Sequence, residues 1–191
     1  MKRQHKRIIG ILFAALLAGS CLAAEPEKRE DYREGMFSDV SSTDWYAQDV
    51  KTCYEYGVMK GQTDGTFLPD GRLTFAEVMT LSARLHSALH SESIEEASTG
   101  QAVWYEPYAL YAKENGILKE EPDSYDRPAA RSEAAELFFR AISDTLSESP
   151  VINPAASLPD VPEGVPYYTS VKALYEAGIL TGSDSYGNFY P

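Results

Sequence analysis

Glu77 and Glu133 are the first residues whose chemistry needs deciding. Each stands three positions after a candidate helix start, Thr74 and Ala130. A carboxylate in a cleft can act as a general acid or base. The same spacing after Thr74 also makes a capping box, in which the Thr hydroxyl accepts from the Glu77 N–H and the carboxylate accepts from the Thr74 N–H. Capping is the reading adopted for both glutamates. His86 and His90 have i, i+4 spacing, which puts two imidazoles on one helix face and permits two metal ligands. No nearby Cys or second His pair completes a set, and histidines also suit a helix C-terminus. Asp64 and Asp70 stand in one loop, without the ligand alternation of an EF-hand. As Asp64-Gly65 and Asp70-Gly71 they are tight-turn dipeptides. Trp45 and Trp104 each precede a tyrosine; they either line a binding groove or anchor the core at a helix start. No nucleophile elbow, phosphate loop or His-Glu-x-x-His motif is present. These residues give no reason to expect an enzyme, a cofactor or a metal.

The elements that position them are helical. Residues 57–77, GVMKGQTDGTFLPDGRLTFAE, join the end of one helical pattern to the start of the next. Gly57 can take the left-handed conformation that closes a helix. Pro69 stops any helix from running through the loop. Before it, Tyr46, Val50, Cys53 and Tyr54 share one helical face, with Thr43 or Asp44 as cap. After it, Phe75, Val78, Met79, Ser82 and Leu85 mark a second helix, and His86 to Ser98 reads as loop. The unit recurs. Trp104-Tyr105 matches Trp45-Tyr46, Gly116 matches Gly57, and Arg131-Ser132-Glu133 opens a helix with Ala134, Ala135, Phe138, Ala141 and Ile142 on one side. Residues 143–157 read as a Ser/Pro-containing linker. A third start, Leu158-Pro159-Asp160-Val161, matches Phe37 to Val40, and Phe189-Tyr190-Pro191 matches Phe67-Leu68-Pro69. Units of roughly 60 residues with two helices each must stack on their neighbours to bury their apolar faces. The boundaries expected are 36–90, 91–149 and 150–191. The third unit holds only a first half, so its helix, near 166–177, is expected to lack a cover and to fray or self-associate.

The chain start differs from the rest. Lys2, Arg3, Lys6 and Arg7 precede an apolar run from Ile8 to Gly19, then small residues through Ala24. This predicts a secretory signal peptide over 1–24, hence an exported protein. Cys21 follows Ala18-Gly19-Ser20, and lipidation there is the one route to a membrane. Residues 25–35 read as a flexible charged leader. The full chain carries 17 basic and 29 acidic residues; without 1–24 the charge is 13 − 29 = −16. Nucleic acid is excluded as a partner by that field, and a polyanion can bind only through a local cationic pocket. Cys53 remains as a lone thiol on an apolar face, a small buried hydrophobe.

With these motifs set out, the three units resemble the S-layer homology repeat. The pattern is Phe-x-Asp-Val, a Trp-aromatic pair, an amphipathic helix, a Gly-x-x-x-Gly turn, Asp-Gly-x-Phe-x-Pro, then Thr-Arg-Ala-Glu opening a second helix. Residues 36–86 carry nearly all of it, 102–142 a degenerate copy and 158–191 its first half. The resemblance implies an all-α, pseudo-threefold domain. It implies non-covalent anchoring to the bacterial cell wall through a secondary wall polysaccharide or peptidoglycan-linked polymer, often bearing pyruvate ketals. The grooves between repeats are the implied sites, and the motif arginine the implied anion contact, as suits a guanidinium fork meeting a carboxylate. In the first unit Phe75 takes the place of that arginine; in the second Arg131 keeps it; in the third the motif is absent. The implied ligand-binding residues are therefore Arg131, Trp45, Trp104 and Asp39, with Arg72 and Arg127 as nearby cations that could compensate for Phe75. The alternative is an envelope lipoprotein or protein-interaction module on the same fold.

Overall fold

The structure, a computed structural model, describes residues 26–95, 103–147, 151–153 and 158–191. The proposed signal peptide and Cys21 lie outside the described residues. Among the described residues there are five helices and no strand: α1 Ala47–Glu55, α2 Phe75–Leu89, α3 Glu106–Glu114, α4 Arg131–Ser147 and α5 Tyr168–Glu176. The class is all-α, as the periodicities require. No helix among them is long and apolar enough to cross a membrane.

The three short helices end in one way. Gly57, Gly116 and Gly178 have φ of 72°, 67° and 72°. The N–H of Val58, Ile117 and Ile179 returns to the carbonyl of Cys53, Ala112 and Leu174 at 2.9, 2.7 and 2.9 Å. The glycine N–H reaches one residue further along, to Tyr54, Lys113 and Tyr175. This is the Schellman arrangement, and it turns Val58, Ile117 and Ile179 into the core. The helix starts were less legible. Thr74 and Glu77 do form the capping box. Neither Thr43 nor Asp44 caps α1, whose N-cap is Tyr46 without a side-chain bond. The Asp44 carboxylate instead accepts from the Ser41 N–H at 2.8 Å, closing a turn before the helix begins. Both long helices also overrun their expected ends, α2 to Leu89 and α4 to Ser147.

The core is shared between units. α2 packs against α3 and α4, and α4 packs against α5. The expected faces of α2 and α4 are buried: Phe75, Val78, Met79, Ser82 and Leu85 on one, Ala134, Ala135, Phe138, Ala141 and Ile142 on the other. The uncovered face expected on the third helix does not exist. Val171 and Leu174 of α5 are fully buried, because the long helix of the preceding unit, α4, covers them. A short helix here is roofed by the unit before it, a pairing that intra-unit periodicity does not reveal. The premise for fraying or self-association at that face is thereby removed.

Among the described residues no long helix precedes α1, and other residues close it. Phe37, Val40, Val50 and Phe67 make a small separate cluster, with Tyr32 and Met36 packed against it. The leader takes part. The Arg29 and Glu30 N–H groups donate to the Glu55 carbonyl at 2.7 and 3.0 Å. The Arg29 guanidinium donates to the Ser87 hydroxyl and carbonyl and to the Glu92 carbonyl. Residues 29–37 are thus tied to α1 and to the end of α2, which their charge-rich composition did not suggest. Cys53 is buried, and burial pushes its thiol up to about 12, as suits an inert apolar position.

The end of α2 carries a histidine junction. The His86 and His90 rings stack at 4.1 Å. His86 Nδ1 bonds the Tyr111 hydroxyl of α3, and His90 Nε2 bonds Asp144 of α4 at 2.7 Å. Glu92 stands beside both histidines, accepting from the Tyr111 hydroxyl. Burial and the neighbouring His90 charge lower the His86 pKa below 6.5. Burial also opposes the charge on His90, but the His86 carbonyl and Asp144 outweigh it, and the pKa is raised. The two therefore act with opposite sign. The His90 contribution is present below 6.5 and lost as pH rises through its raised folded pKa. The His86 contribution is present above 6.5 and lost as pH falls through its lowered one. We expect His90→Gln to cost more stability at about pH 6 than at about pH 8, and His86→Gln to blunt the wild type's loss of stability between about pH 6.5 and about pH 5. Urea melts at those pH values check both; parallel pH profiles for all three proteins would show that the junction does not titrate this way.

Candidate functional site

The two helix starts at Phe75 and Arg131 are the first and second candidate junctions for an anion, and two carboxylate clips fix loops of the first and third units. The Asp39 carboxylate accepts from the Phe67 and Leu68 N–H groups, both at 2.7 Å. Asp160 accepts from Phe189 and Tyr190 at 2.7 and 2.6 Å. The second residue of each pair is held in the left-handed region, Leu68 at φ 54° and Tyr190 at φ 57°. That conformation costs a non-glycine residue about 1–2 kcal/mol, and two charge-assisted bonds to one carboxylate offset it. Asp39, one of the implied ligand contacts, thus already has both oxygens engaged with its own backbone.

At the second junction Arg131 opens α4 and is only 5% exposed. Its Nη2 donates to the Thr181 carbonyl at 3.2 Å. Its guanidinium carbon lies 4.8 Å from the centroid of the buried Phe189 ring. Nε and Nη1 are buried with no hydrogen-bond partner. Burial lowers its pKa, with Asp160 nearby pushing the other way. A planar cation is therefore held in a buried place, with two of its nitrogens unpartnered by protein groups.

The first junction is filled instead. Phe75 is buried, with Tyr125 edge-on at 6.0 Å and the Arg127 guanidinium 5.2 Å from its ring centroid. The first N–H groups of α2, on Phe75 and Ala76, donate to the carbonyls of Arg127 and Tyr125 at 2.9 Å. Backbone from the next unit thus takes the donors that a helix N-terminus offers to an anion. Arg127 is already engaged: it forks onto Glu133 at 2.8 and 2.6 Å and reaches Asp123 at 2.6 Å. Glu133 also accepts from the Ala130 N–H, the capping contact expected of it. Arg72 is exposed, and no contact ties it to this junction.

The two tryptophans are not core anchors. Trp45 is 55% and Trp104 51% exposed, each edge-on to its neighbouring tyrosine. Trp104 lines a cleft of about 550 Å³ between the 59–67 loop and the outer face of α2. Arg84, Lys60, Glu77 and Thr80 are on the same walls. The cleft does not include Trp45, Asp39, Arg72 or Arg131. Arg84 and Thr80 were missed in the sequence because they fall outside every motif; their i, i+4 spacing was the available signal.

Comparison with known proteins finds similar sequences over part of the chain. The chain is 27% identical over 154 residues to the cellulosome-anchoring protein of Acetivibrio thermocellus, covering 78% of this chain and 34% of that protein. It is 29% identical over 119 residues to the S-layer protein sap of Bacillus anthracis, covering 60% and 14%. It is 30% identical over 122 residues to the exoglucanase XynX of Acetivibrio thermocellus, covering 58% and 11%. The chain thus spans about a third or less of the length of these relatives. The model of the S-layer homology domain matches residues 37–79, which run from the Phe37 cluster through the Schellman turn, the Asp39 clip and the capping box into α2. The chain carries a domain of the S-layer homology family at residues 37–79.

Proposed function

We propose that this protein is a non-enzymatic module at the bacterial cell surface, held to the cell wall by non-covalent binding of an anionic secondary wall polysaccharide. The observation that carries the reading is Arg131, a nearly buried guanidinium with Nε and Nη1 unpartnered. A ketal-linked pyruvate offers a carboxylate that can accept a charge-assisted bond from such a guanidinium. The overall charge of −12 repels a polyanion, so recognition rests on this local contact rather than on a diffuse field. Two relatives, a cellulosome-anchoring protein and an S-layer protein, support the anchoring role.

The reading also takes the chain as three stacked units in a pseudo-threefold arrangement, with boundaries at 36–90, 91–149 and 150–191. Its support is the local geometry repeated at Gly57, Gly116 and Gly178 and at Asp39 and Asp160.

The test is sedimentation of the protein with purified Gram-positive walls, intact or stripped of their secondary polymer by acid. Retention by intact walls and loss on stripping is the expected result. Equal retention by both would rule out the polymer, and no retention by either would rule out wall anchoring.

A further inference from the structure

The two stacked imidazoles at the end of α2 differ in what faces their nitrogens, and the difference fixes their charges. His90 Nδ1 lies 2.9 Å from the His86 carbonyl, and His90 Nε2 lies 2.7 Å from the Asp144 carboxylate. A carbonyl and an ionised carboxylate only accept, so both His90 nitrogens donate and the ring is an imidazolium. His86 Nδ1 lies 2.8 Å from the Tyr111 hydroxyl. The one Tyr111 proton goes to Glu92, so the hydroxyl oxygen accepts and His86 Nδ1 carries a proton. With the His90 charge stacked on it at 4.1 Å, the other His86 nitrogen stays unprotonated. The pair therefore holds one positive charge. The titratable and charged groups facing it are Tyr111 from α3, Asp144 from α4, Glu92 from the turn after α2, and Arg29, which acts on Tyr111 from the segment before α1. The same turn of α2 also holds residues 28–30, a strap across the ends of α1 and α2. Ser87, next to His86, takes Arg29 Nη1 on its hydroxyl at 3.1 Å and Nη2 on its carbonyl at 2.8 Å. The Glu92 carbonyl accepts from Nη2 at 2.6 Å and from the Ser87 hydroxyl at 2.8 Å. Between them Ser91 is held at φ 54°, a conformation that a residue with a Cβ keeps only while its surroundings impose it. At α1 the strap is fixed by the Arg29 and Glu30 N–H groups on the Glu55 carbonyl and by Lys28, 2.9 Å from the Glu55 carboxylate.

We propose that the His86–His90 pair is a latch on this strap, closed while the pair carries one positive charge and opened either by a second proton or by loss of the first. A proton added to His86 puts like charges on two stacked rings, which part. A proton lost from His90 leaves one of its two acceptors, the His86 carbonyl or Asp144, without a donor, and the last turn of α2 loses that tie. Either change displaces the segment from Ser87 to Glu92, and with it all three acceptors of the Arg29 guanidinium. The strap is then left with its bonds to Glu55 alone, and it lifts from the end of α2. The latch is independent of the wall-binding reading, since none of its groups is an implied ligand contact.

The test follows the Arg29 and Glu30 amides of the full chain by hydrogen exchange, as protection factors between about pH 5 and about pH 8, beside a nitrogen-15 spectrum of the imidazole rings. At about pH 6.5 the rings should be one imidazolium, His90, and one neutral ring, His86, with its proton on Nδ1. Protection of the strap should be greatest there and fall by up to about tenfold per pH unit on each side. The acid limb should level off where the His86 ring becomes charged, and the alkaline limb where the His90 ring loses its charge. His86→Gln should abolish the acid limb alone, and His90→Gln the alkaline limb alone. The buried Phe138 of α4 should stay at least about tenfold more protected throughout, because the opening is local. The wild-type ring spectrum decides without any variant: two neutral rings at about pH 6.5, or a His86 proton on Nε2, would overturn the proposal. So would strap protection that does not change with pH, strap protection equal to that of Phe138, or an acid limb retained in a folded His86→Gln.

Discussion

Replacing Gly61 with alanine should be among the most destabilising single-methyl changes in this protein, at about 2–5 kcal/mol. Two costs add. Gly61 sits at φ 72°, and a left-handed backbone costs a residue with a Cβ about 1–2 kcal/mol. The added Cβ would also meet Phe37 Cε1 at 2.2 Å and the Thr66 carbonyl oxygen at 3.0 Å. Phe37 is buried, packed on Tyr54 and Phe67 at 5.8 and 5.5 Å, so its ring has no space to withdraw into. Overpacking of that kind costs typically about 1–3 kcal/mol. Gly116→Ala is the control. It shares the positive φ, at 67°, but a Cβ there meets nothing within 4 Å. It should lose only the backbone part, about 1–2 kcal/mol. Urea denaturation of the three proteins measures both. Equal losses in the two variants would mean that the Phe37 cluster yields. Domains of this size are stable by about 5–15 kcal/mol in all, so Gly61→Ala should also lower the yield of folded protein.

That cluster shows what a single chain reading can and cannot find. The Gly57 turn, the capping box and the buried faces of α2 and α4 follow from local pattern, and all appear as expected. The partners of those faces do not follow. Periodicity says that Val171 and Leu174 are inside, but not that α4 rather than a following helix covers them. Asp39 and Asp160 were legible as motif positions; their use as clips for two N–H groups 28 to 30 residues away was not. Arg127 looked like a spare cation near Phe75 because nothing in the sequence assigns it to Glu133 and Asp123. Thr43 and Asp44 looked like caps because their residue types suit the role. The turn that takes the Asp44 carboxylate first is a competing local bond of the kind short polar side chains make. Arg84 had no motif at all, and only its place on the cleft wall marks it.

The other large expected effect concerns Arg131. As an unliganded group it carries an unrecovered cost, since buried polar groups without partners lose about 1–3 kcal/mol each and charged ones more. A carboxylate accepting from one of the two unpartnered nitrogens would recover part of it. The contact is worth about 1.5–3 kcal/mol, which is about tenfold to a hundredfold in affinity. Arg131→Lys should restore only part of this, because an ammonium lacks the planar fork. Phe75→Arg should not build an equivalent site in the first unit. The new guanidinium would be buried beside Arg127, and the N–H groups of Phe75 and Ala76 are already taken by carbonyls.

The most direct test is a calorimetric titration of purified wall polymer, with its pyruvate ketals intact or removed, into wild type and Arg131→Ala. The account predicts binding of ketal-bearing polymer by wild type, about ten- to a hundredfold weaker binding by Arg131→Ala at unchanged helicity, and weak binding of the stripped polymer by both. Equal affinity of wild type and a folded Arg131→Ala for the ketal-bearing polymer would contradict it.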